Sequence, residues 1–336
     1  MKSPVLSICI ATYNRGDFIG ETLDSIIRQL KDDVEIVVVD GASNDNTQSI
    51  MERYAAKCPA VRYVRLTQKG GVDQDFCKAV EYAHGEYCWL FPDDDLFKPG
   101  AIHRVLQELR NNHSLVIVNA DVMNRDFSVK FQASMLEGDE DGVYQPGDLD
   151  PLFKRIVPTV SFIGCVCIKR EVWMQREHVR YFGTEFIHVG VIFQGHLPGT
   201  AYVIAQPYIS IRYGNAQWTP RAFEIWMQKW PRLLWSFDLI SDETKRKRVK
   251  PEPWRRLQTL RLYRALGSYS PEMYEKIVAP SSASALWKLM ARTISRIPQR
   301  PWNSYMLWYL RTFKNKANKQ MLIYDLSLSR GKSSRK

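Results

Sequence analysis

Four times in the first hundred residues a short apolar run gives way to a stretch suited to a helix. That alternation confines the chain to an α/β fold of right-handed crossovers around a parallel sheet. Residues 5–11 read as a strand, and residues 18–30 as a helix with Phe18, Ile19, Leu23, Ile26, Ile27 and Leu30 on one face. The β-branched run from Val34 to Val39 suits a strand covered on both faces, and a second helix follows over Thr47–Lys57. A third strand, 61–66, leads through Gly70-Gly71 into a helix over 75–83, and a fourth apolar run occupies 86–91.

In open α/β sheets ligands sit beyond the carboxyl ends of the strands. Three of those ends are polar here: Thr12-Tyr13-Asn14, Asp40-Gly41-Ala42-Ser43 and Asp93-Asp94-Asp95. Three successive carboxylates repel one another unless solvated or neutralised, and oxygen-only ligands favour Mg²⁺ or Mn²⁺ over Zn²⁺. The plainer alternative is a solvated turn, with Pro92 forming it and Asp95 capping a helix. No Gly-x-Gly-x-x-Gly follows the first strand and no Gly-x-x-x-x-Gly-Lys-Ser/Thr occurs, which argues against dinucleotide and P-loop chemistry. A polar first loop, an acid after the second strand and an acidic cluster after the fourth suit a nucleotide diphosphate. Asp40 would accept hydrogen bonds from base or ribose, and a cation would bridge the phosphates.

Three blocks carry a resemblance: Ser7-Ile8-Cys9-Ile10-Ala11-Thr12-Tyr13-Asn14-Arg15, the segment from Glu35 to Thr47, and the segment from Ala83 to Asp95. As an ordered set they resemble the inverting glycosyltransferases of family 2. Gly71-Val72-Asp73-Gln74-Asp75-Phe76, Tyr87-Cys88-Trp89 and the segment from Tyr181 to Val189 look most like abequosyltransferases of O-antigen synthesis. The resemblance implies a GT-A type, mostly parallel nucleotide-sugar-binding sheet with flanking helices. It also implies that Thr12, Tyr13, Asn14, Arg15 and Ser43 line the donor, that Asp40 contacts its base, and that Asp73 touches the nucleotide. Asp94 and Asp95 would hold metal and diphosphate. The family pattern Asp-x-Asp-Asp places its first acid at Pro92, so Asp93 is a candidate metal ligand beside Asp95. Structural alternatives stand beside these roles: Asn14 as a helix cap, Asp40 and Ser43 as turn residues, Asp73 as an N-cap.

Inverting transfer needs a base for the acceptor hydroxyl, and a carboxylate usually serves. The matching region holds Glu185 as the candidate and His188 as the runner-up, the alternative for His188 being a helix-face histidine bonded to backbone. Residues 161–171 read as an acceptor-side strand and its helix. Cys165-x-Cys167 is no metal pair, since no His or Cys companion lies nearby, and all six cysteines read as buried free thiols of a reducing compartment. Residues 139–142 read as an exposed loop, mobile over the acceptor cleft.

The 336 residues, 45% hydrophobic, can bury a substantial core. Charge is unevenly placed: residues 241–336 carry 22 Lys and Arg against 6 Asp and Glu, while residues 1–240 carry 25 against 30. The expected organisation is therefore a catalytic domain over 1–240 (nucleotide-sugar half 1–110, acceptor half 111–240), a C-terminal basic amphipathic helical region over 241–326, and a disordered tail over 327–336. Lys288, Arg292 and Arg296 recur every four residues beside Leu286, Met290, Ile294 and Ile297, a pattern that suits an anionic membrane surface. Trp302, Tyr305, Trp308, Tyr309 and Phe313 add residue types of the membrane interface. A helical bundle with its aromatics turned inward is the alternative. No apolar run reaches the roughly 20 residues of a membrane span and no signal peptide is legible, so a cytoplasmic, membrane-peripheral location is expected.

These readings converge on a metal-dependent inverting glycosyltransferase with Mn²⁺ or Mg²⁺ as cofactor. Its donor would be a nucleotide-diphosphate sugar and its acceptor a saccharide or lipid-linked oligosaccharide. The competing readings are a sugar nucleotidyltransferase and a nucleic-acid-binding protein; no nucleic-acid partner is expected.

Overall fold

A computed structural model of the chain describes residues 3–215, 217, 219–313 and 319–332. The strands are β1 (Leu6–Thr12), β2 (Val34–Asp40), β3 (Val61–Arg65), β4 (Tyr87–Phe91), β5 (Leu96–Phe97), β6 (Leu115–Met123), β7 (Lys130–Gln132), β8 (Gly142–Tyr144), β9 (Val166–Lys169) and β10 (Ala201–Arg212). Between them lie the helices α1 (Ile19–Ile27), α2 (Thr47–Lys57), α3 (Val72–Tyr82), α4 (Ala101–Leu109), α5 (Leu149–Val160), α6 (Arg170–Met174) and α7 (Ile187–Phe193). Along the main path the sheet order is β3-β2-β1-β4-β9-β6-β10-β5. The first four strands run parallel, β6 and β10 are parallel to each other, and β9 is antiparallel to both neighbours. The expected mixed α/β architecture with a large, mostly parallel sheet is present.

Local sequence explains the elements. In β2 the run Val-Glu-Ile-Val-Val-Val is buried on both faces apart from half-buried Glu35, as a central parallel strand requires. Helix α1 turns Ile19, Leu23 and Ile26 into the core and ends at Ile27, short of the expected Leu30, because Gln29 and Leu30 donate to carbonyls three residues back. Helix α3 starts at Val72, three residues early: Gly71 takes φ 95° and breaks the chain there. Asp73 and Asp75 then sit in its first turn, where the helix dipole favours negative charge. Trp89 stacks on Phe97 at 4.2 Å and Phe91 meets the same ring edge-on at 4.2 Å, so the aromatic run of β4 and the short β5 clamp the acidic turn between them.

Two compact units are distinguishable: 1–123 with 132–212 and 237–244, and 124–131 with 213–236 and 245–336. Residues 213–236, expected inside the catalytic domain, thus group with the C-terminal helices. In the second unit α8 (Ala222–Glu224) runs through a π-helical turn into α9 (Trp230–Trp235). Then come α10 (Asp242–Arg248), α11 (Leu257–Leu266), α12 (Pro271–Met273), α13 (Ala285–Arg296), α14 (Gln299–Phe313) and α15 (Gln320–Lys332). One core gathers Phe223, Trp254, Leu260, Tyr269, Ala291 and Ile294; another joins Ala265, Leu307, Leu310 and Leu326. Buried Asn303 donates to the carbonyls of Ala265 and Leu326, tying α11, α14 and α15 together.

Three expectations change. Residues 327–332, expected as disordered tail, continue α15; residues 333–336 lie outside the described residues. The stretch from Asp139 to Gly142 is exposed but tethered, since Asp141 accepts from the Ala205 amide at 2.8 Å, Arg104 at 2.7 Å and the Tyr202 hydroxyl at 3.0 Å, and Gly142 opens a strand on β10. Five cysteines are buried free thiols, and Cys58 is half-buried because it lies just past the end of α2.

One close approach is testable. Gly85 enters β4 beside β1, where a Cβ would lie 2.7 Å from the Ser7 backbone nitrogen and 2.9 Å from the Leu6 carbonyl carbon. Gly85→Ala should therefore lower the unfolding free energy by about 1–3 kcal/mol. Urea denaturation reads this directly, and an unchanged midpoint would show that the two strands can separate freely there.

Candidate active site

The register of β1 builds the site. Thr12 pairs with Asp40 on one side, and two residues earlier Ile10 pairs with Phe91 on the other, so the loops after β1, β2 and β4 open at one edge. Side chains stitch the first two loops. The Asn14 amide donates to Ser43 Oγ at 2.8 Å, and Asn14 Oδ1 accepts from the Asn44 amide at 2.8 Å. The Arg15 amide donates to Thr47 Oγ1 at 3.0 Å, and the Gly16 amide to Asp45 at 3.1 Å. Asn14 holds a left-handed φ of 54°, a region Asn tolerates better than most residues. It staples two loops and does not cap α1, whose N-cap position is Phe18.

Asp40 is fully buried. Its Oδ1 accepts from the Ser43 amide at 2.8 Å and its Oδ2 from the Tyr63 hydroxyl at 2.7 Å, so the acid fixes the turn that carries Ser43. The base contact expected of it would have to be made alongside those two partners. Tyr13 is half-buried, and the Lys69 ammonium lies 3.7 Å from its ring centre.

All three acids of the triplet are buried. Arg15 reaches two of them: Nε lies 3.4 Å from Asp93 Oδ1 and Nη2 lies 3.2 Å from Asp94 Oδ2. Asp95 turns the other way, its Oδ1 accepting from the Arg212 amide at 2.6 Å. The Arg212 side chain donates through Nε to the Asp94 carbonyl at 2.8 Å and pairs with Glu21. Burial, and then the Asp94 charge, push the Asp93 carboxyl up to about 7 against the pull of Arg15. Burial and the same neighbour raise Asp95 well above the usual carboxylate range.

This geometry tests the metal assignment. Two carboxylates from successive residues face one cation position, at present held by a guanidinium, and their donors are the hard oxygens that Mg²⁺ and Mn²⁺ prefer. The facing pair is Asp93 with Asp94; Asp95, expected as a ligand, is anchored to β10. Among the described residues no set of three acids, histidines or cysteines is gathered as a metal cage. Mg²⁺ held by one or two carboxylates and completed by substrate phosphates needs no such cage. Pro92, where the family pattern has an acid, packs against Gly164, whose Cβ would lie 2.9 Å from the proline ring.

Two further candidate residues are held by backbone groups. Asp73, expected at the nucleotide, is buried and accepts from the amides of Glu185 at 3.0 Å and Ile187 at 3.1 Å, capping the start of α7. His188 is 1% exposed, and its Nε2 donates to the Val160 carbonyl at 2.7 Å while Nδ1 is enclosed without a partner. It is therefore the helix-face histidine bonded to backbone. Glu185 is half-buried and holds φ 72°, a strained conformation for a residue with a Cβ, at the turn that Asp73 fixes. Arg212 is the residue that sequence reasoning missed: it lies 117 positions from Asp95, and only the antiparallel pairing of β5 with β10 brings the two together.

Residues 7–168 match the family model described as glycosyl transferase family 2. They form a family 2 glycosyltransferase domain. Over 226 residues the chain is 27% identical to abequosyltransferase RfbV of Salmonella typhimurium, covering 63% of this chain and 67% of that protein. Over 125 residues it is 31% identical to chondroitin synthase of Escherichia coli, covering 37% of this chain and 18% of that one. In fold it is similar to S. aureus TarS 1–349 in complex with UDP, with TM-score 0.52 at 15% identity over 98% of this chain and 92% of that chain. The family match covers β1 to β4 and reaches β9, and thus includes every residue of the strand-end cluster except Arg212.

His188 gives the first unit a pH signature. Burial holds its imidazole down at about 4, against an ordinary value of 6.5. Between those values the unfolded chain binds the extra proton and the folded one does not. Stability from this group is full above 6.5 and falls as pH drops towards 4, by on the order of 3 kcal/mol. His188→Gln should flatten that dependence, read by urea denaturation at pH 7 and pH 4.5. An identical pH slope in the variant would place the imidazole in water.

Proposed function

We propose that this chain transfers a hexosyl or deoxyhexosyl group, with inversion, from a nucleoside-diphosphate donor to a saccharide acceptor carried on a lipid, in cell-surface polysaccharide synthesis of the O-antigen kind. One observation carries the reading: Asp93 and Asp94 face a single cation position at the edge where the loops after β1 and β2 are stitched together. The family 2 match over the same residues and the likeness to an abequosyltransferase support it.

Roles follow from position. Thr12, Tyr13, Asn14, Arg15 and Ser43 form the donor wall, with the Tyr13 ring face for the base and Asp40 holding the turn behind it. Asp93 and Asp94 would hold Mg²⁺ or Mn²⁺, with Asp95 fixing the turn from β10. When bound, the metal supplies positive charge to the departing diphosphate. The acceptor hydroxyl attacks the anomeric carbon opposite the diphosphate; its oxygen forms the new glycosidic bond, the bond to the diphosphate breaks, and the hydroxyl proton passes to Glu185. The nucleotide diphosphate leaves with the electron pair of the broken bond. Asp73 is the positioning residue for Glu185, since it holds that residue's amide.

Donor turnover with Mn²⁺ tests the reading. Release of free nucleoside diphosphate from a nucleotide sugar is expected. Pyrophosphate made from a sugar phosphate and a triphosphate would replace this reading with a nucleotidyltransferase. A tight, salt-dependent nucleic-acid complex with neither activity would replace it with a binding protein. Glu185→Gln should cut transfer by at least 10²-fold and leave donor affinity within about twofold; unchanged turnover would remove it from the mechanism.

The acceptor side involves a membrane surface. On α13 the expected apolar stripe divides: Ile294 is buried and Ile297 half-buried in the second unit's core, while Leu286 (67% exposed), Leu289 (61%) and Met290 face outward beside exposed Arg292 and Arg296. Exposed Tyr305 and Trp308 lie on α14. Apolar side chains flanked by arginines suit an anionic lipid surface, where each basic residue contributes on the order of 1 kcal/mol. No described helix is long and apolar enough to cross a membrane. The protein should sediment with vesicles containing phosphatidylglycerol and not with phosphatidylcholine alone, and Leu286→Asp with Leu289→Asp should reduce binding at least tenfold. Equal sedimentation with both vesicle types would dismiss the surface.

A further inference from the structure

Arg15 stands where the metal of the proposed reaction would stand. Its guanidinium is 3.4 Å from Asp93 and 3.2 Å from Asp94, with all three side chains less than 15% exposed. A divalent cation bound to the same two carboxylates would lie within a few ångströms of that positive charge, behind low-dielectric walls where repulsion is strong. The two cations repel each other and compete for the same pair.

Different groups hold the backbone and the guanidinium of Arg15. The Arg15 backbone is anchored apart from its side chain, through its own amide on Thr47 Oγ1 and the next amide on Asp45. Its side chain runs past Phe18, with the guanidinium carbon 5.5 Å from the ring centre, and four rotatable bonds lie between that anchor and the charge. Arg212 passes the same ring at 5.2 Å but is bound at three points, on Asp95, the Asp94 carbonyl and Glu21. Phe18 thus lies beside two guanidiniums of different kind: Arg212 braces the turn, and Arg15 covers the ligand face of the acids.

We propose that Arg15 is the resident counter-cation of the acidic pair, that a divalent cation must displace it, and that the displaced guanidinium then grips the donor's diphosphate. Its planar fork matches phosphate oxygens in a way that a lysine ammonium does not. Metal and nucleotide therefore load as a pair: metal alone has to evict Arg15 into water, whereas metal with a diphosphate gives the arginine a new partner. Each raises the affinity of the other by the same factor. The inference rests on the reading of this edge as a metal and diphosphate site.

Mn²⁺ titration followed by electron paramagnetic resonance tests it on the full chain, with Mn²⁺ alone and with Mn²⁺ plus UDP, CDP, GDP or dTDP. The wild type should bind Mn²⁺ alone weakly and at least tenfold more tightly with the preferred diphosphate. Arg15→Gln should bind Mn²⁺ alone at least tenfold more tightly than wild type and lose most of the gain from the diphosphate. Arg15→Lys, which keeps the charge and the fold if the glutamine variant does not, should match wild type for Mn²⁺ alone and lose part of the gain. Equal Mn²⁺ affinity in wild type and Arg15→Gln, or full coupling in Arg15→Lys, would overturn the displacement. Failure of wild type and both variants to bind Mn²⁺ with any diphosphate would overturn the metal reading itself, and this inference with it.

Discussion

The crowding of three buried carboxylates into one turn is the constraint from which the rest of the first unit follows. Such a turn is unfavourable in a low-dielectric setting unless positive charge and hydrogen-bond donors reach it from several directions. Arg15 arrives from the loop after β1 and Arg212 from the end of β10. Both depend on the sheet: β1 must lie between β2 and β4, and β10 must return beside β5. Ring contacts of Trp89 and Phe91 with Phe97 join the strands on either side of the turn. Local sequence, sheet order and site electrostatics are here one arrangement.

The edge itself was readable from the chain. Apolar periodicity located four strand–helix repeats, and a parallel sheet necessarily opens its carboxyl ends on one side. Thr12, Asn14, Asp40 and the acidic triplet meet there for that reason. Partner choice was not readable. Periodicity says which face of β9 is buried but not that β9 runs antiparallel between β4 and β6. It says that β10 is a strand but not that its last residue braces Asp95. A carboxylate in a helix's first turn looks the same whether it faces a ligand, as expected of Asp73, or caps a distant helix, as found.

Tethers replaced motion in two places. An acidic, glycine-containing stretch looks mobile, yet Asp141 has three donors around it. A Ser- and Lys-rich end looks disordered, yet residues up to Lys332 remain helical, with Leu326 and Ser329 meeting Asn303. Composition records how polar a segment is. It does not record which donors a fold will bring to it.

Asp73 makes a mechanical link out of an electrostatic one. Its carboxylate belongs to the start of α3, and the loop just before that helix carries Lys69 onto the Tyr13 ring. The same carboxylate holds the backbone of Glu185. Any shift in the start of α3 therefore reaches the backbone of Glu185 and Ile187 directly, through the two hydrogen bonds that Asp73 accepts.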